Sequence, residues 1–253
     1  MLLSIDNEEL LHTIRTFKSG KAGSPTVPVN VLVQEADDLY LWCQDDQEQL
    51  MLVGLDWNQV SLIPACAKIC REFQSQWLKN YKSADKTKLE WESKSPEAVN
   101  LRNELLHDFG FAFRKDDQLL AQLKEINRKQ SRASLVQSLN DLATLGNEYI
   151  AMLELIHFDR TKLEAATRLA PEMADLIARI ERNKNRTDES KLMRDQAYAY
   201  LKQLVDMVRE CGKYKFRENP ERLAGYLSDY WKGRNTTRTK KTTLEDTPKV
   251  IEK

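Results

Sequence analysis

The chain has 253 residues, of which 41 % are hydrophobic and 31 % charged, and its 39 Lys plus Arg balance 39 Asp plus Glu, so no net field steers it toward nucleic acid or an anionic surface. Only 8 Gly and 7 Pro leave few turn residues for a many-stranded sheet, and an all-α fold is the expectation. No apolar stretch approaches the ~18 residues of a membrane span. Met1 to Leu11 carries Asp6, Glu8 and Glu9 where a signal peptide needs a basic start, and Cys43, Cys66, Cys70 and Cys211 form no secreted framework. A cytoplasmic protein with no membrane attachment is expected.

Residues 7 to 18 place Leu10, Leu11, Ile14 and Phe17 on one face, with Asp6 as candidate N-cap and Glu9 completing a capping box. This predicts one short leading helix. Ser19 to Asn30 holds Gly20, Gly23, Pro25 and Pro28 and reads as a linker, so residues 1–30 are helix plus linker. Beyond it the chain lies on itself at a shift of 103. Phe111, Phe113, Arg114, Leu120, Ala121 and Leu123 fall on Tyr214, Phe216, Arg217, Leu223, Ala224 and Tyr226. Fixed-period self-similarity means one structural unit built twice. Residues 31–133 and 134–233 are the two predicted copies, each an up-down four-helix bundle of roughly 100 residues, large enough for its own core.

In the first helices Leu32, Ala36, Leu39, Cys43, Asp46, Leu50 and Val53 match Leu135, Leu139, Leu142, Gly146, Tyr149, Leu153 and Ile156, a three-four stripe. Asp46 is the one charge on it. A buried unpaired carboxylate is costly, so Asp46 is expected at a water-accessible edge. The second helices follow the caps Asp56 and Asp159, with Gln59 placed for a capping box, and carry Ile63, Cys66, Cys70, Phe73 and Trp77 against Ala166, Leu169, Met173, Leu176 and Ile180. Pro64 and Pro171 predict a kink or break in both. Third helices are expected near 95–110, starting at Ser95-Pro96, and near 188–212. Residues 81–94 read equally as helix or loop. Gly110 and Gly212 lie near the third helices' ends, and Asp116 and Asn219-Pro220-Glu221 open the fourth. From residue 234 on, apolar periodicity ends and a disordered tail is expected.

Phe111-Ala112-Phe113-Arg114 and Tyr214-Lys215-Phe216-Arg217, each leading into a Leu-Ala helix, resemble the aromatic-x-Phe-Arg turn of bacterial proteins built of duplicated helical bundles, a family of unknown function. That resemblance implies the architecture and no activity. Arg114 and Arg217 are suited to bond the carbonyls ending the third helix and to stack on the aromatics. Alternatively, the two turns form equivalent anion or peptide pockets, with Phe111, Phe113, Tyr214 and Phe216 beside the arginines.

Arg102-Asn103-Glu104-Leu105-Leu106-His107 resembles the Arg-x4-His motif of HEPN-type ribonucleases, themselves helical. The resemblance implies that Arg102 and His107 handle the scissile phosphate and the proton, with Asn103 as polar neighbour. Arg102 falls on Val205 and His107 on Glu210, however, so the other copy lacks the pair. Five residues of ideal helix also set the two side chains about 140° apart. Cys66 and Cys70 fall on Leu169 and Met173 and read as core, so no metal or cofactor is expected. Lys232, Arg234, Arg238, Lys240 and Lys241 read as a solvated basic segment. The expected function is non-catalytic interaction or scaffolding with a protein partner; the alternative is a metal-independent ribonuclease using Arg102 and His107.

Overall fold

The computed structural model describes residues 7–17, 25–128 and 131–234. The expected cap Asp6, residues 19–24 of the linker and residues 235–253 of the tail lie outside them. The described residues are helical, without a strand. In chain order the helices are α1 (Asn7–Thr16), α2 (Val29–Gln44), α3 (Gln47–Met51), α4 (Trp57–Ser61), α5 (Ile63–Ala112), α6 (Asp117–Asn127), α7 (Arg132–Glu148), α8 (Ile150–Glu154), α9 (Thr161–Lys215) and α10 (Pro220–Ala224). Residues 229–234 are also helical. No helix among them is long and apolar enough to cross a membrane.

Several starts are fixed by caps legible in the sequence. The Asp56 carboxylate accepts from the Asn58 N–H (3.0 Å), Asp116 from those of Gln118 and Leu119 (both 3.0 Å), and Asn219 from that of Arg222 (3.1 Å). Pro220 takes the first helical position, where a missing N–H costs nothing. Asp159 accepts from the Thr161 N–H and hydroxyl at 2.9 and 2.7 Å. The expected break near Pro64 falls between α4 and α5, so that proline stands in a first turn. At Pro171 the expectation of a break is corrected, because α9 runs through it.

A larger correction concerns the third helices. Residues 95–110 belong to α5 and residues 188–212 to α9, Ser95 starts nothing, and 81–94 is helix. Pro96 removes one backbone donor, but buried residues continue on both sides of it, from Trp91 to Ala98, Leu105 and Phe109. Packing along that face outweighs the local start signal.

The chain divides into two compact units that do not follow the boundary at 133/134. Unit 1 comprises residues 1–78 and 189–253, and unit 2 residues 79–188. Helices α5 and α9 each contribute to both. The core of unit 1 gathers Leu32, Val33, Ala36, Leu39 and Cys43 of α2, Ile63, Cys66 and Cys70 of α5, and Leu201, Leu204, Val205 and Val208 of α9. Helix α1 adds Leu10 and Ile14, and Phe17 meets Tyr200 edge-on at 5.3 Å. The core of unit 2 gathers Ala98, Leu105 and Phe109 of α5 with Phe113 just after it, Leu119 and Leu123 of α6, Leu139 and Leu142 of α7, and Ala166, Leu169 and Met173 of α9. Polar pairs bind α5 to α9 there: Arg179 to both oxygens of Glu90 (3.0 and 3.1 Å), Asn183 to the Thr87 hydroxyl (2.8 Å), and Lys162 to Asp108 (2.9 Å) and Glu104 (3.0 Å).

The turns after α3 and α8 contain the two left-handed positions among the described residues, Gly54 (φ 92°) and His157 (φ 56°), which are 103 residues apart. Glycine adopts this conformation freely, whereas His157 holds it at a cost of about 1 kcal/mol.

Candidate interaction surfaces

The six residues of the Arg-x4-His stretch lie on one unbroken run of α5, and helical geometry separates its ends. Arg102 is 9 % exposed, and its Nε and Nη2 donate to the Asn103 side-chain oxygen at 3.4 and 3.0 Å. The His107 side chain is 87 % exposed, with Asp108 3.7 Å from its Nδ1. Among the described residues no hydrogen bond or ion pair joins Arg102 to His107. One points into unit 2, the other away from it, as the 140° step requires.

The two aromatic-arginine turns divide internally. Phe113 and Phe216 are core residues, Phe113 meeting Tyr149 edge-on at 5.8 Å and Phe216 stacking on Tyr226 at 5.5 Å. Phe111 and Tyr214 are 55 % and 63 % exposed. Arg114 lies over the Phe111 ring at 4.2 Å and donates to the Phe111 carbonyl at 2.7 Å. Arg217 lies 5.5 Å over Tyr214 and pairs with Glu218 at 3.4 Å. The arginines thus support the exposed rings by cation–π contact.

Each of these turns shares an end of its unit with a second apolar feature. In unit 2, Phe109 and Phe113 at the end of α5 meet Phe158 and Tyr149 on either side of α8, where Leu155 is 83 % exposed. In unit 1, the segment after α9 returns to the end of α2 and the start of α3, whose C-cap Leu52 is 81 % exposed. Leu52 and Leu155 are also 103 residues apart.

Asp46 is where sequence reasoning failed. It lies buried instead of at a wet edge, and it is paired. Its Oδ2 accepts from Arg222 Nε (2.9 Å), Arg222 Nη2 (2.6 Å) and the Tyr226 hydroxyl (2.6 Å). The Arg222 guanidinium also donates to the Trp42 carbonyl at 3.0 Å and lies 4.4 Å over the Trp42 ring. Burial and the bond to Asp46 push the Tyr226 hydroxyl far above its ordinary 10.0, and the carboxylate raises Arg222. Arg222 and Tyr226 fall on Leu119 and Leu123, as Asp46 falls on Tyr149, so a more polar residue at each of three matched positions marked the cluster in the sequence.

Farther along α2, Glu35 accepts from Arg209 (2.8 Å), the Ser228 hydroxyl (2.9 Å) and the Tyr230 N–H (3.1 Å). Burial alone would raise its pKa, but these donors outweigh it and hold the carboxyl below the ordinary range. Glu35 thereby anchors the helical residues 229–234 on α2. Cys66 and Cys70 are fully buried in the core of unit 1, and burial pushes both thiols up to about 12. Of the basic segment, Lys232 pairs with Asp229 at 2.9 Å and Arg234 donates to the Tyr230 hydroxyl at 2.8 Å; Arg238, Lys240 and Lys241 lie outside the described residues.

No family model, no curated protein and no solved structure matches the chain.

Proposed function

We propose that this chain is a non-catalytic interaction protein, built from two copies of one four-helix unit and presenting the same exposed contacts twice to a protein partner. The duplication is supported by element register: α2 and α7 both begin at one repeat position (Val29 and Arg132), α3 and α8 coincide, α5 and α9 end at Ala112 and Lys215, and α6 and α10 begin at Asp117 and Pro220. On this reading each repeat gives its first half to one compact unit and its second half to the other. Four free thiols suit a reducing, cytoplasmic setting.

The observation that carries the functional reading is recurrence. Single exposed apolar residues are ordinary on any surface. Here an aromatic with its supporting arginine, and a leucine, stand exposed at matching positions of both copies. The carboxylates of Asp46 and Glu35 in unit 1, by contrast, are engaged in holding helical segments together.

The test is affinity capture with the full chain, comparing wild type with Phe111→Ser/Tyr214→Ser and Leu52→Ser/Leu155→Ser, and using thermal melts to confirm folding. A partner retained by wild type and lost from both variants is expected, with no cleavage of mixed RNA by any of them. RNA cleavage abolished by His107→Ala in a folded protein would overturn the reading.

A further inference from the structure

A groove of about 800 Å³ lies within unit 1, between the amino-terminal half of α2, residues 71–75 of α5 and the helical residues 229–230. Val29, Val31, Val33 and Tyr230 give it an apolar lining. Its polar character is one-sided. The lining cation Arg71 is already held by Asp37, and Glu35 is satisfied from within by Arg209, Ser228 and the Tyr230 N–H. Asp229 is likewise held, by Lys232 at 2.9 Å, which leaves Asp38 as the exposed lining carboxylate met by a neutral donor, the Gln34 amide at 2.9 Å. Gln74, which also lines the groove, buries its Oε1 with no hydrogen-bond partner.

A buried acceptor without a donor carries a desolvation cost that an incoming N–H removes. The groove therefore offers acceptors and negative charge beside apolar surface. Tyr230 already shows the matching chemistry, since the Arg234 guanidinium stands 5.6 Å over its ring. The positions 103 residues on from Glu35 and Gln74 are Ser138 and Ile177, whereas Asp38 falls on Asp141, so the carboxylate recurs in unit 2 but the acceptors beside it do not.

We infer that the groove binds an arginine side chain of a partner polypeptide, with apolar residues flanking it. Arginine fits better than lysine because its planar fork reaches several separated acceptors at once and stacks on an aromatic face. This rests on the interaction reading above and adds a partner chemistry to it, at a surface distinct from the exposed turns.

The probe is the peptide acetyl-Leu-Arg-Leu-Arg-Leu-amide, titrated calorimetrically into the full chain, against the same peptide with citrulline in place of both arginines. The arginine peptide is expected to bind at least ~10-fold tighter, the worth of one charge-assisted contact. Gln74→Leu and Asp38→Asn should each weaken it by roughly 5-fold through loss of one acceptor. Asp141→Asn, the same change at the matching position of unit 2, should leave it unchanged, and melts check that every variant is folded. Equal binding of the citrulline peptide, or no binding of either, would overturn the proposal. So would affinity rising more than ~5-fold when Arg238, Lys240 and Lys241 become Glu, because the groove would then belong to the chain's own basic segment. Phe111→Ser/Tyr214→Ser should not alter peptide binding. Failure of the groove with capture through the turns intact would therefore be distinguishable from failure of the interaction reading.

Discussion

At the end of α2, unit 1 sets buried Asp46 and Tyr226 against half-buried Arg222 and Trp42; at the positions 103 residues away, unit 2 carries Tyr149, Leu119, Leu123 and Leu145 in its apolar cluster. The same helix spacing accepts either solution, but the two fail differently. An apolar cluster loses contacts roughly in proportion to the atoms removed. A buried charge cluster depends on every member, because the survivors of a deletion stay buried without partners. In unit 1 the cluster also fixes position, since Arg222 and Tyr226 can satisfy Asp46 only with the segment after α9 seated on α2.

The sharpest way to break this comparison is Asp46→Ala, which strands the buried Tyr226 hydroxyl, leaves half-buried Arg222 with the Trp42 carbonyl, and should cost ~3 kcal/mol. Tyr149→Ala, which leaves no charge behind, should cost less, about 2 kcal/mol. The swap Asp46→Tyr/Arg222→Leu/Tyr226→Leu installs the residues of unit 2 and should recover most of the Asp46→Ala loss, because replacing a whole polar cluster by packed apolar groups is often close to neutral. Urea unfolding of all three proteins reads these differences. A swap no more stable than Asp46→Ala would show that the two ends are not interchangeable.

A second contrast lies in alanine substitutions at close approaches. A Cβ at Gly212 would stand 2.1 Å from the Tyr226 ring, which its bond to Asp46 holds in place. One at Gly146 would meet the Leu163 methyl at 2.5 Å and the Phe109 ring tip at 2.7 Å, the far ends of apolar core side chains that carry no hydrogen bond. Gly212→Ala should therefore cost about 2–3 kcal/mol and Gly146→Ala nearer 1, each offset in part by the helix preference of alanine. Equal melting shifts would contradict this.

Alkaline pH should separate the units next. Cys43, Cys66 and Cys70, with ordinary values of 9.0, are pushed up to about 12 by burial, and Tyr226 is raised above 10.0. A folded-state pKa above the unfolded one contributes stability that is complete below the unfolded value and lost as pH rises past it. All four groups belong to unit 1, whereas unit 2 has no cysteine and its raised groups, Tyr149 beside Glu148 and Lys162 beside Asp108, are partly exposed. Limited proteolysis from pH 8 to 11 should cut residues 25–78 and 189–230 before residues 79–188. The reverse order would contradict the assignment. The smallest effect is expected at the left-handed turns: His157→Gly should stabilise by ~0.5–1 kcal/mol, and Gly54→Ala should destabilise by about as much.

Local signals made much of the fold legible. Asp56, Asp116 and Asn219 cap helices because each carries its acceptor beside the N–H groups it serves, and the three-four stripes mark buried faces. Ser95-Pro96 misled because a start signal is local, whereas the face continuing from Trp91 to Phe109 is stabilised by α7 and α9. Asp46 misled for a related reason. Its partners lie 176 and 180 residues away, in the other repeat, and a stripe read along one helix contains neither. Half of the aromatic candidates were separable only by geometry, since Phe113 and Phe216 turn inward two residues after rings that stand exposed.

The most direct test of the central claim is quantitative capture of partner protein by the full chain, wild type against Phe111→Ser/Tyr214→Ser, with both confirmed folded. A partner held by wild type and released by the double variant is the predicted result. The same partner held equally by both would contradict the claim that the repeated exposed rings form the working surface.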